Sequence, residues 1–305
     1  MQASDVATPV ILDCDTGTDD AVAIMVAALH PALALLGVTT VWGNHDVRHT
    51  TDNTLRTLDH IGRGDVPVHA GRNEPFRPRE SPLPSGRDDL PSTLELPAPV
   101  SAARSTDAVG WLVETLRAAP EPVTLVPTGP LTNIAAAIEA APDIVGAVRR
   151  VVALAGTHRQ PGVRPFVERN VWCDPEAAAY VVVAGFDALT FVGMDATFAA
   201  ALDSADADRL TSLATPAGEA AGRFQRQRIS LYGGESAPLH DPLAVALLVD
   251  EEVVRTEPAA VAVELDPGPT YGRTAYQLGA GGPAVRVALD ADRDRFLTVL
   301  CDALG

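Results

Sequence analysis

An α/β protein is predicted, with an open and mostly parallel sheet that is flanked by helices. Short apolar stretches of strand length alternate with longer stretches of helical periodicity, as they do where helices connect parallel strands. Hydrophobic residues also make up 47% of the chain and charged residues only 21%, which suits strands that are buried on both faces. No internal repeat or linker divides the sequence, so residues 1–305 are expected to form a single domain.

Each predicted parallel strand is a short run rich in branched aliphatic residues and bounded by turn residues. These runs cover residues 10–12, 33–41, 66–70, 123–126, 150–155 and 188–192. Residues 259–265, 271–277 and 284–289 are predicted to be antiparallel strands near the end of the chain. A sheet of this kind, with crossover helices between its strands, is Rossmann-like.

Helices are predicted where apolar residues recur with a period near 3.6. They cover residues 21–29, 46–61, 106–118, 131–141, a stretch that begins at 174, and residues 204–232, 243–249 and 292–304. The periodicity disappears over residues 72–105, where seven prolines fall between Pro75 and Pro99. Such a long irregular segment in a compact domain is typical of a lid over a site.

The charge of the chain limits its partners. Forty acidic residues outnumber 23 basic ones and give a net charge of −17, so nucleic acids and anionic membranes would be repelled. All the basic residues are arginines, which excludes a lysine Schiff base and a Walker lysine. Three cysteines without a CxxC pair, and a first segment unlike a signal peptide, predict a cytoplasmic protein.

Four aspartates, Asp13, Asp15, Asp19 and Asp20, lie between the first predicted strand and the first predicted helix. Gly17 allows the chain to turn sharply among them. Because like charges this close repel one another, the turn is expected to hold a cation or a polar ligand. The alternative is that Asp19 and Asp20 only cap the helix, at the positive end of its dipole. Asp13 and Asp15 are two residues apart after the strand and are expected to face the site together.

Further polar residues follow later strands and would meet the aspartates at the carboxyl ends of a parallel sheet. These residues are Asn44, Thr128, the segment 168–170, and His240 with Asp241. Oxygen atoms dominate this set, and hard oxygen ligands favour Ca²⁺ or Mg²⁺ over zinc. The residues therefore predict a cation site with one histidine nearby.

Five segments, in order along the chain, resemble the motifs of the inosine-uridine nucleoside hydrolase family. DCDTGTDDAVAI matches the family signature DxDPGxDDAxAI, except that Thr16 stands where proline is usual. GVTTVWGN, PTGPLTNIA, VERNVWCDPEAA and LHDPLAVA, which end at Asn44, Ala135, Ala178 and Ala246, match later motifs. GPTYGRTAY is similar to the carboxyl-terminal pattern of the family.

This resemblance implies the nucleoside hydrolase fold, a tightly bound Ca²⁺ and cleavage of the N-glycosidic bond of ribonucleosides. Carried over position by position, the calcium ligands would be Asp15, Asp20, Asp241 and the carbonyl of Thr128. Asp15 would also be the general base that takes a proton from a calcium-bound water, and His240 would assist the departing base.

The same resemblance implies which residues hold the substrate and how the chain assembles. The ribose hydroxyls would be held by Asp19, Asn44, Glu168 and Asn170. Members of the family are commonly dimers or tetramers, so a homodimer or homotetramer is expected. The small-molecule partner would be a ribonucleoside, with either a purine or a pyrimidine base.

Two segments depart from the family pattern. LAGTHRQPGVRPFVERN carries Leu154 in place of a methionine and Gly162 in place of an asparagine that would contact the 5′-hydroxyl. Ser85 replaces a histidine in the proline-rich segment. Both segments would lie around the 5′ side of the sugar and the lid. Our hypothesis is that the chemistry is retained while the substrate differs from common nucleosides in its 5′ group or base.

Several side chains near the predicted site have two interpretations. A single histidine before a helix, such as His240, is often only a hydrogen-bonded structural residue. Trp42 and Trp172 could stack on a base, although buried packing is the favoured interpretation for both. Residues that could contact the base without any motif behind them are Tyr232, Arg228 and Arg226.

Two other functions share features with this sequence. A haloacid dehalogenase phosphatase also begins with a strand and DxD, but it needs a threonine where Gly17 stands and a downstream lysine that this chain lacks. The stronger rival is a calcium- and ribose-binding relative that has lost turnover. The retention of Asp15 and His240 favours the active enzyme.

Overall fold

A computed structural model describes residues 7–78, 91–279 and 285–305. Within these residues the chain forms a central sheet of nine strands and a separate sheet of two short strands. The strands in chain order are β1 (Thr8–Cys14), β2 (Leu33–Thr40), β3 (Val68–Ala70), β4 (Val123–Pro127), β5 (Val148–Leu154), β6 (Leu189–Val192), β7 (Leu202–Asp203), β8 (Ser236–Ala237), β9 (Val254–Val263), β10 (Thr274–Leu278) and β11 (Val285–Ala291).

The central sheet has the strand order β10-β9-β11-β6-β5-β4-β1-β2-β3. Every neighbouring pair from β11 to β3 is parallel, which confirms the predicted open, mostly parallel sheet. Only β9 runs the other way, and it pairs antiparallel with both β10 and β11. The prediction for β11 is wrong in one respect, because this strand also pairs in parallel with β6, with Val285 opposite Leu189.

Helices cover both faces of the sheet. They are α1 (Thr18–Leu29), α2 (Val47–His60), α3 (Ala108–Ala118), α4 (Thr132–Ala140), α5 (Arg169–Cys173), α6 (Pro175–Val182), α7 (Met194–Ala199), α8 (Ser204–Thr211), α9 (Pro216–Tyr232), α10 (His240–Val249) and α11 (Arg293–Leu304). Short 3₁₀ turns span Pro142–Ala147 and Glu251–Val253. In the part of the chain described, no helix combines the length and the apolar character needed to cross a bilayer.

The predicted helix over residues 204–232 is two helices, α8 and α9. Ala214 has a φ of 54°, which an α-helix does not accommodate, so the chain breaks there. Thr215 then caps α9 by accepting a hydrogen bond from the Gly218 N–H, and Pro216 occupies the first turn. The helix predicted over 243–249 begins earlier, at His240, so this residue lies in the first turn of α10.

Successive side chains of β1 point to alternate faces of the sheet, and this explains how the sheet is buried on both faces. Val10 and Leu12 pack on one side of the sheet with α1, α10 and α11. Ile11 packs on the other side with α3, α4 and α6. Successive side chains of a strand point to opposite faces, so an uninterrupted apolar run satisfies two cores at once. β1 lies between β4 and β2, and the polar residues that follow it emerge near the middle of the sheet edge.

Part of the irregular proline-rich segment packs firmly on α2. Asn53 of α2 donates to the Ser92 carbonyl at 3.2 Å and accepts from the Leu94 N–H at 2.9 Å. Leu94 and Leu96 are buried in the core. The departure at Ser85 lies outside the described residues, and a lid remains a prediction.

Candidate active site

A cavity of about 810 Å³ opens at the carboxyl ends of the parallel strands. Asp15 directly follows β1, Thr128 directly follows β4, and Leu154 is the last residue of β5. Eight of the nine predicted site residues line this cavity: Asp15, Asp19, Asn44, Thr128, Glu168, Asn170, His240 and Asp241. The ninth, Asp20, contacts two of them, Thr128 and Asp241.

The turn between β1 and α1 both caps the helix and builds the site. Asp20 lies in the first turn of α1, and its Oδ2 accepts from the Gly17 N–H at 3.0 Å. Its other oxygen, Oδ1, accepts from the Thr128 hydroxyl at 2.7 Å. The capping alternative is therefore correct for one oxygen of Asp20, while the second oxygen joins the helix to β4.

Three buried carboxylates converge beside this turn. Oxygen atoms of Asp19, Asp20 and Asp241 all lie within 4.8 Å of one another, and this trio could hold a metal ion. Asp241 is in the first turn of α10, so the positive ends of α1 and α10 both face the trio. Burial and the neighbouring Asp19 raise the pKa of Asp20 to about 6. Burial, then the charges of Asp19 and Asp20, raise the pKa of Asp241 well above its ordinary value.

The chemistry of these groups fits a hard divalent cation. A positive charge beside the trio would relieve the repulsion that raises these pKa values, and carboxylate oxygens suit Ca²⁺ or Mg²⁺. The predicted ligand set differs from the trio, because it contains Asp15 and the Thr128 carbonyl but not Asp19. That carbonyl accepts from the Asn170 amide at 2.6 Å, which occupies one of its two lone pairs.

Asp13 and Asp15 do not face the site together, although both are buried. Asp15 lines the cavity, and its Oδ2 accepts from the Asn44 N–H at 2.7 Å. Burial and the charge of Asp20 raise the pKa of Asp15 well above its ordinary value. Asp13 instead accepts from the Thr39 hydroxyl at 2.6 Å and from the Asn133 amide at 2.8 Å, inside the sheet layer. Because strand alternation ends at Cys14, the spacing of two did not place both side chains on one face.

Glu168 and Asn170 are fixed by the short helix α5. Glu168 caps this helix by accepting from the N–H groups of Asn170 at 2.7 Å and Val171 at 3.1 Å. The Asn170 amide donates to the carbonyls of Thr128 and Leu154, and so ties α5 to the ends of β4 and β5. The Asn44 amide donates to the Asp15 carbonyl at 3.1 Å. Three of the four predicted hydroxyl-binding residues, Asn44, Glu168 and Asn170, are thus oriented by backbone groups.

The cavity also has an aromatic end, which centres on His240. The Nδ1 of His240 lies 2.8 Å from the Thr197 hydroxyl, and its Nε2 lies 2.8 Å from the Tyr232 hydroxyl. Phe198 meets the imidazole edge-on at 5.9 Å between ring centres. The Thr197 hydroxyl donates to the Met194 carbonyl, so it accepts from the Nδ1–H of His240. In the neutral imidazole, Nε2 therefore accepts from the Tyr232 hydroxyl.

The three base contacts suggested without a motif separate into two groups. Arg228 and Tyr232 line the cavity from the same face of α9, four residues apart. The Arg228 Nη1 lies 2.9 Å from Oδ1 of Asp19, and both side chains are buried. Arg226 is directed away from this face, and its guanidinium pairs with Asp208.

Trp42 and Trp172 pack in a small cluster with Val41 and Cys173, in agreement with the interpretation as buried packing.

Gly162 lines the cavity, as the match to the family motifs implied. A Cβ at this position would lie 1.7 Å from the Val167 carbonyl oxygen, so this loop conformation admits no side chain there. The contact that an asparagine would make is therefore absent at residue 162.

The cavity residues that the sequence analysis did not identify include Met194, Phe198 and Arg169. Met194 and Phe198 belong to α7, which has only 6 residues and is too short to show a helical period. Arg169 stands between two predicted site residues, and its Nη2 donates to the Gly43 carbonyl at 3.0 Å. Its position inside the VERN motif was a signal that could have identified it.

Comparison with known proteins places this geometry in context. Residues 10–298 match the family described as inosine-uridine preferring nucleoside hydrolase. The pyrimidine-specific ribonucleoside hydrolase RihA of Shewanella sp. (strain ANA-3) is 35% identical over 309 residues, covering 97% of this chain and 96% of that protein. The pyrimidine-specific ribonucleoside hydrolase RihB of Escherichia coli (strain SE11) is 35% identical over 299 residues, covering 94% of each. The structure of a purine-preferring ribonucleoside hydrolase from Gardnerella vaginalis superimposes with a TM-score of 0.87 at 29% identity, covering 97% of this chain and 98% of that one.

Proposed function

This chain belongs to the inosine-uridine preferring nucleoside hydrolase family, and we propose that its cavity hydrolyses the N-glycosidic bond of ribonucleosides to release the free base and ribose. One observation carries the proposal. A single cavity joins a carboxylate that can accept a proton, Asp15, to a trio that could hold a cation and to the histidine of its aromatic end. These are the parts that a glycosidic hydrolysis requires.

The trio of Asp19, Asp20 and Asp241 supports a Ca²⁺ site, to which Asp15 and the Thr128 carbonyl would contribute. When bound, the ion would supply positive charge that orients a water molecule and makes it more acidic. Calcium acidifies water much less than zinc does, so a neighbouring carboxylate has to complete the deprotonation. Asp15 is the carboxylate that we assign to this task.

Asp15 is suited to act as the general base. Its Oδ2 is held by the Asn44 N–H, which fixes the carboxylate against the cavity. Burial raises its pKa, and Arg169 opposes that rise. Its carboxylate can take a proton from a water molecule in the cavity. The oxygen of the deprotonated water then bonds to C1′ of the ribose while the bond from C1′ to the base nitrogen breaks.

The ribose hydroxyls would be held by Asp19, Asn44, Glu168 and Asn170, which line one side of the cavity. Acidic groups around the sugar also stabilise the positive charge that develops on it as the base departs. Holding the sugar rigidly against the attacking water can supply about 7–11 kcal/mol of the barrier. The backbone contacts of α5 and the strand ends supply the necessary rigidity.

The electron pair of the breaking bond goes to the base, which requires a proton. His240 and Tyr232 lie in hydrogen-bond contact at the aromatic end of the cavity. A protonated His240 would donate its Nε2–H toward Tyr232, whose own hydroxyl proton would then be free to reach the base. This pair is our assignment for the proton donor, with Thr197 fixing the imidazole from behind.

The test is a panel of ribonucleosides incubated with calcium-loaded protein, with released ribose measured by a reducing-sugar assay. Uridine and cytidine come first, because relatives at 35% identity are named pyrimidine-specific. We expect ribose release that is lost on treatment with a chelator and restored by Ca²⁺ more fully than by Zn²⁺. The absence of release from every nucleoside, with calcium binding verified by equilibrium dialysis, would overturn the proposal and favour a binding-only relative.

Three further assignments are proposals, and the one on assembly rests on the family resemblance. A homodimer or homotetramer would be identified by analytical ultracentrifugation of the purified protein. A cytoplasmic location would be identified by fractionation of the cells that produce it. An altered 5′ group in the natural substrate is supported by the conformation at Gly162, and 5′-substituted nucleosides belong in the panel for that reason.

A further inference from the structure

We infer that Arg228 is a positioning residue, which holds the carboxylate of Asp19 in the orientation in which it binds the ribose hydroxyls. The inference rests on the proposed function, because Asp19 is assigned there to the sugar hydroxyls. It goes beyond that function by giving a role to a residue on α9 that no motif of the chain contains.

Two contacts fix the Arg228 guanidinium. Its Nε donates to the Pro238 carbonyl at 2.7 Å, and its Nη1 lies 2.9 Å from Oδ1 of Asp19. The Arg228 side chain is 5% exposed and that of Asp19 is 12% exposed, so the ion pair is largely shielded from solvent. Pro238 belongs to the segment between β8 and α10, and the arginine therefore links α9, α10 and the first turn of α1.

Burial of a guanidinium costs free energy unless an opposite charge lies beside it, and here the carboxylate of Asp19 supplies that charge. A carboxylate has two oxygens, and the one bound by Arg228 has one of its lone pairs directed at the guanidinium. Asp19 is thereby restrained from binding an ion through both oxygens, although it belongs to the trio that could hold one. The second oxygen is left for the cavity, where a sugar hydroxyl can donate to it.

The position of Arg228 separates the two ends of the cavity. Its guanidinium carbon lies 5.7 Å from the ring centre of Tyr232, which belongs to the aromatic end. At the other end, the charge of Arg228 opposes the rise in the pKa of Asp241. Asp19 keeps this ion pair while one of its oxygens lies within 4.8 Å of Asp20 and Asp241, so Arg228 fixes a carboxylate that adjoins both the sugar and the cation trio.

Arg228→Gln, Asp19→Asn and the double variant test this coupling. A hydrogen bond to a charged group corresponds to roughly a 10- to 100-fold effect, so each single variant should lower kcat/KM by about that factor, mainly through KM. The double variant should be no worse than Asp19→Asn alone, because Arg228 acts through Asp19. Arg228→Lys should recover part of the loss. Losses that multiply in the double variant would overturn the inference and would indicate a direct contact of Arg228 with the substrate.

A binding experiment separates this inference from the proposed function. Calorimetric titration of free ribose into calcium-loaded protein measures the affinity for the sugar without turnover. Ribose should bind about tenfold or more weakly to Arg228→Gln than to the unmodified protein. Unchanged ribose affinity would overturn the role of Arg228 even if the enzyme is active. Ribose release from no nucleoside, with ribose affinity still dependent on Arg228, would instead contradict only the proposed turnover.

Matched controls exclude a simple loss of structure. Arg226→Gln changes an exposed arginine of the same helix and should leave both kcat/KM and ribose affinity unchanged. Calcium affinity in Arg228→Gln should be equal to that of the unmodified protein or higher, because a nearby positive charge has been removed. Lower calcium affinity together with a lower unfolding temperature would show that Arg228 is merely structural and would overturn the inference.

Discussion

The two ends of the cavity are built differently. The acidic end, formed by Asp15, Asp19, Asp20 and Asp241, stands on the first turns of α1 and α10, and these turns are embedded in the core. The aromatic end, formed by Phe198, Tyr232 and His240, stands on α7, α9 and α10, and the Tyr232 side of it reaches the surface, with 39% of that residue exposed. Water activation is therefore assigned to the rigid end and base recognition to the open end.

This contrast suits a family in which the sugar chemistry is shared and the base varies. Relatives at 35% identity are named pyrimidine-specific, while a structural neighbour at 29% identity is named purine-preferring. Changes at a half-exposed helix end are tolerated more easily than changes among buried carboxylates, because fewer packing contacts depend on them. Substitutions at the two ends should consequently impair the protein in different ways.

The largest effect is expected at the acidic end, for Asp15→Asn. The amide can still accept from the Asn44 N–H, but it cannot take a proton from water. We expect kcat to fall by about 10²–10⁴-fold, the usual contribution of general base catalysis. Single-turnover kinetics with uridine would measure the loss, and equilibrium dialysis would show how much calcium the variant retains.

Asp46→Asn is the matched control for this change. Asp46 caps α2 just outside the cavity, and asparagine caps a helix about as well as aspartate. Its kcat should equal that of the unmodified protein. An Asp15→Asn protein with calcium bound and with unchanged kcat would remove the assigned base and the contrast between the two ends.

A smaller and substrate-dependent effect is expected at the aromatic end, for His240→Ala. A nucleobase departs poorly without a proton, so kcat for uridine should fall by about 10²-fold. A 4-nitrophenyl riboside releases a stable phenolate and should lose much less. Equal losses for both substrates would show that His240 contributes nothing specific to the leaving group. The ratio of the two kcat values is the measurement, because it cancels any general effect on folding.

The sequence could predict most of the acidic end because its parts are neighbours in the chain. A strand, a charged turn and a helix that adjoin one another place Asp15, Asp19 and Asp20 at a sheet edge without further information. Thr128 and Asp241 were collected by their positions after later strands, and motif matching then assigned them to the cation. The separate directions of Asp13 and Asp15 could not be predicted, because strand alternation holds only up to Cys14 and the turn geometry beyond it is set by tertiary contacts.

The aromatic end was predicted less completely for a physical reason. Arg228 and Asp19 are far apart in the sequence, and their ion pair exists only because α9 packs beside α1. The helix that carries Phe198 is too short to produce a periodic signal. The parallel pairing of β11 with β6 was missed similarly, since local sequence specifies a strand but not the direction of its partners.

The smallest effect is expected on stability and depends on pH. Without a cation, burial raises the pKa of Asp20 to about 6 and that of Asp13 to about 7. Both values lie above the ordinary 3.8, so between about pH 4 and 7 the folded protein binds more protons than the unfolded chain does. The free energy of unfolding of the cation-free protein should therefore fall as the pH rises through this range.

Calcium should restore the free energy of unfolding that is lost at the acidic end, and this effect should be stronger at high pH. At pH 8, above the pKa of about 6 of Asp20, the ion displaces no proton from that carboxylate, whereas at pH 5 it must first displace one. Calcium at 100 times its Kd stabilises a folded protein by about 2.7 kcal/mol, which corresponds to roughly 4 °C in Tm for a chain of this size. Thermal unfolding with calcium or with chelator at both pH values measures the increment in Tm that calcium causes.

An equal increment at pH 5 and pH 8 would mean that protons and calcium do not compete, and the trio would then not be the cation site. Asp241→Asn supplies the control, because removal of one of the three carboxylates should shrink the increment at pH 8 without altering the part of the pH dependence that belongs to Asp13.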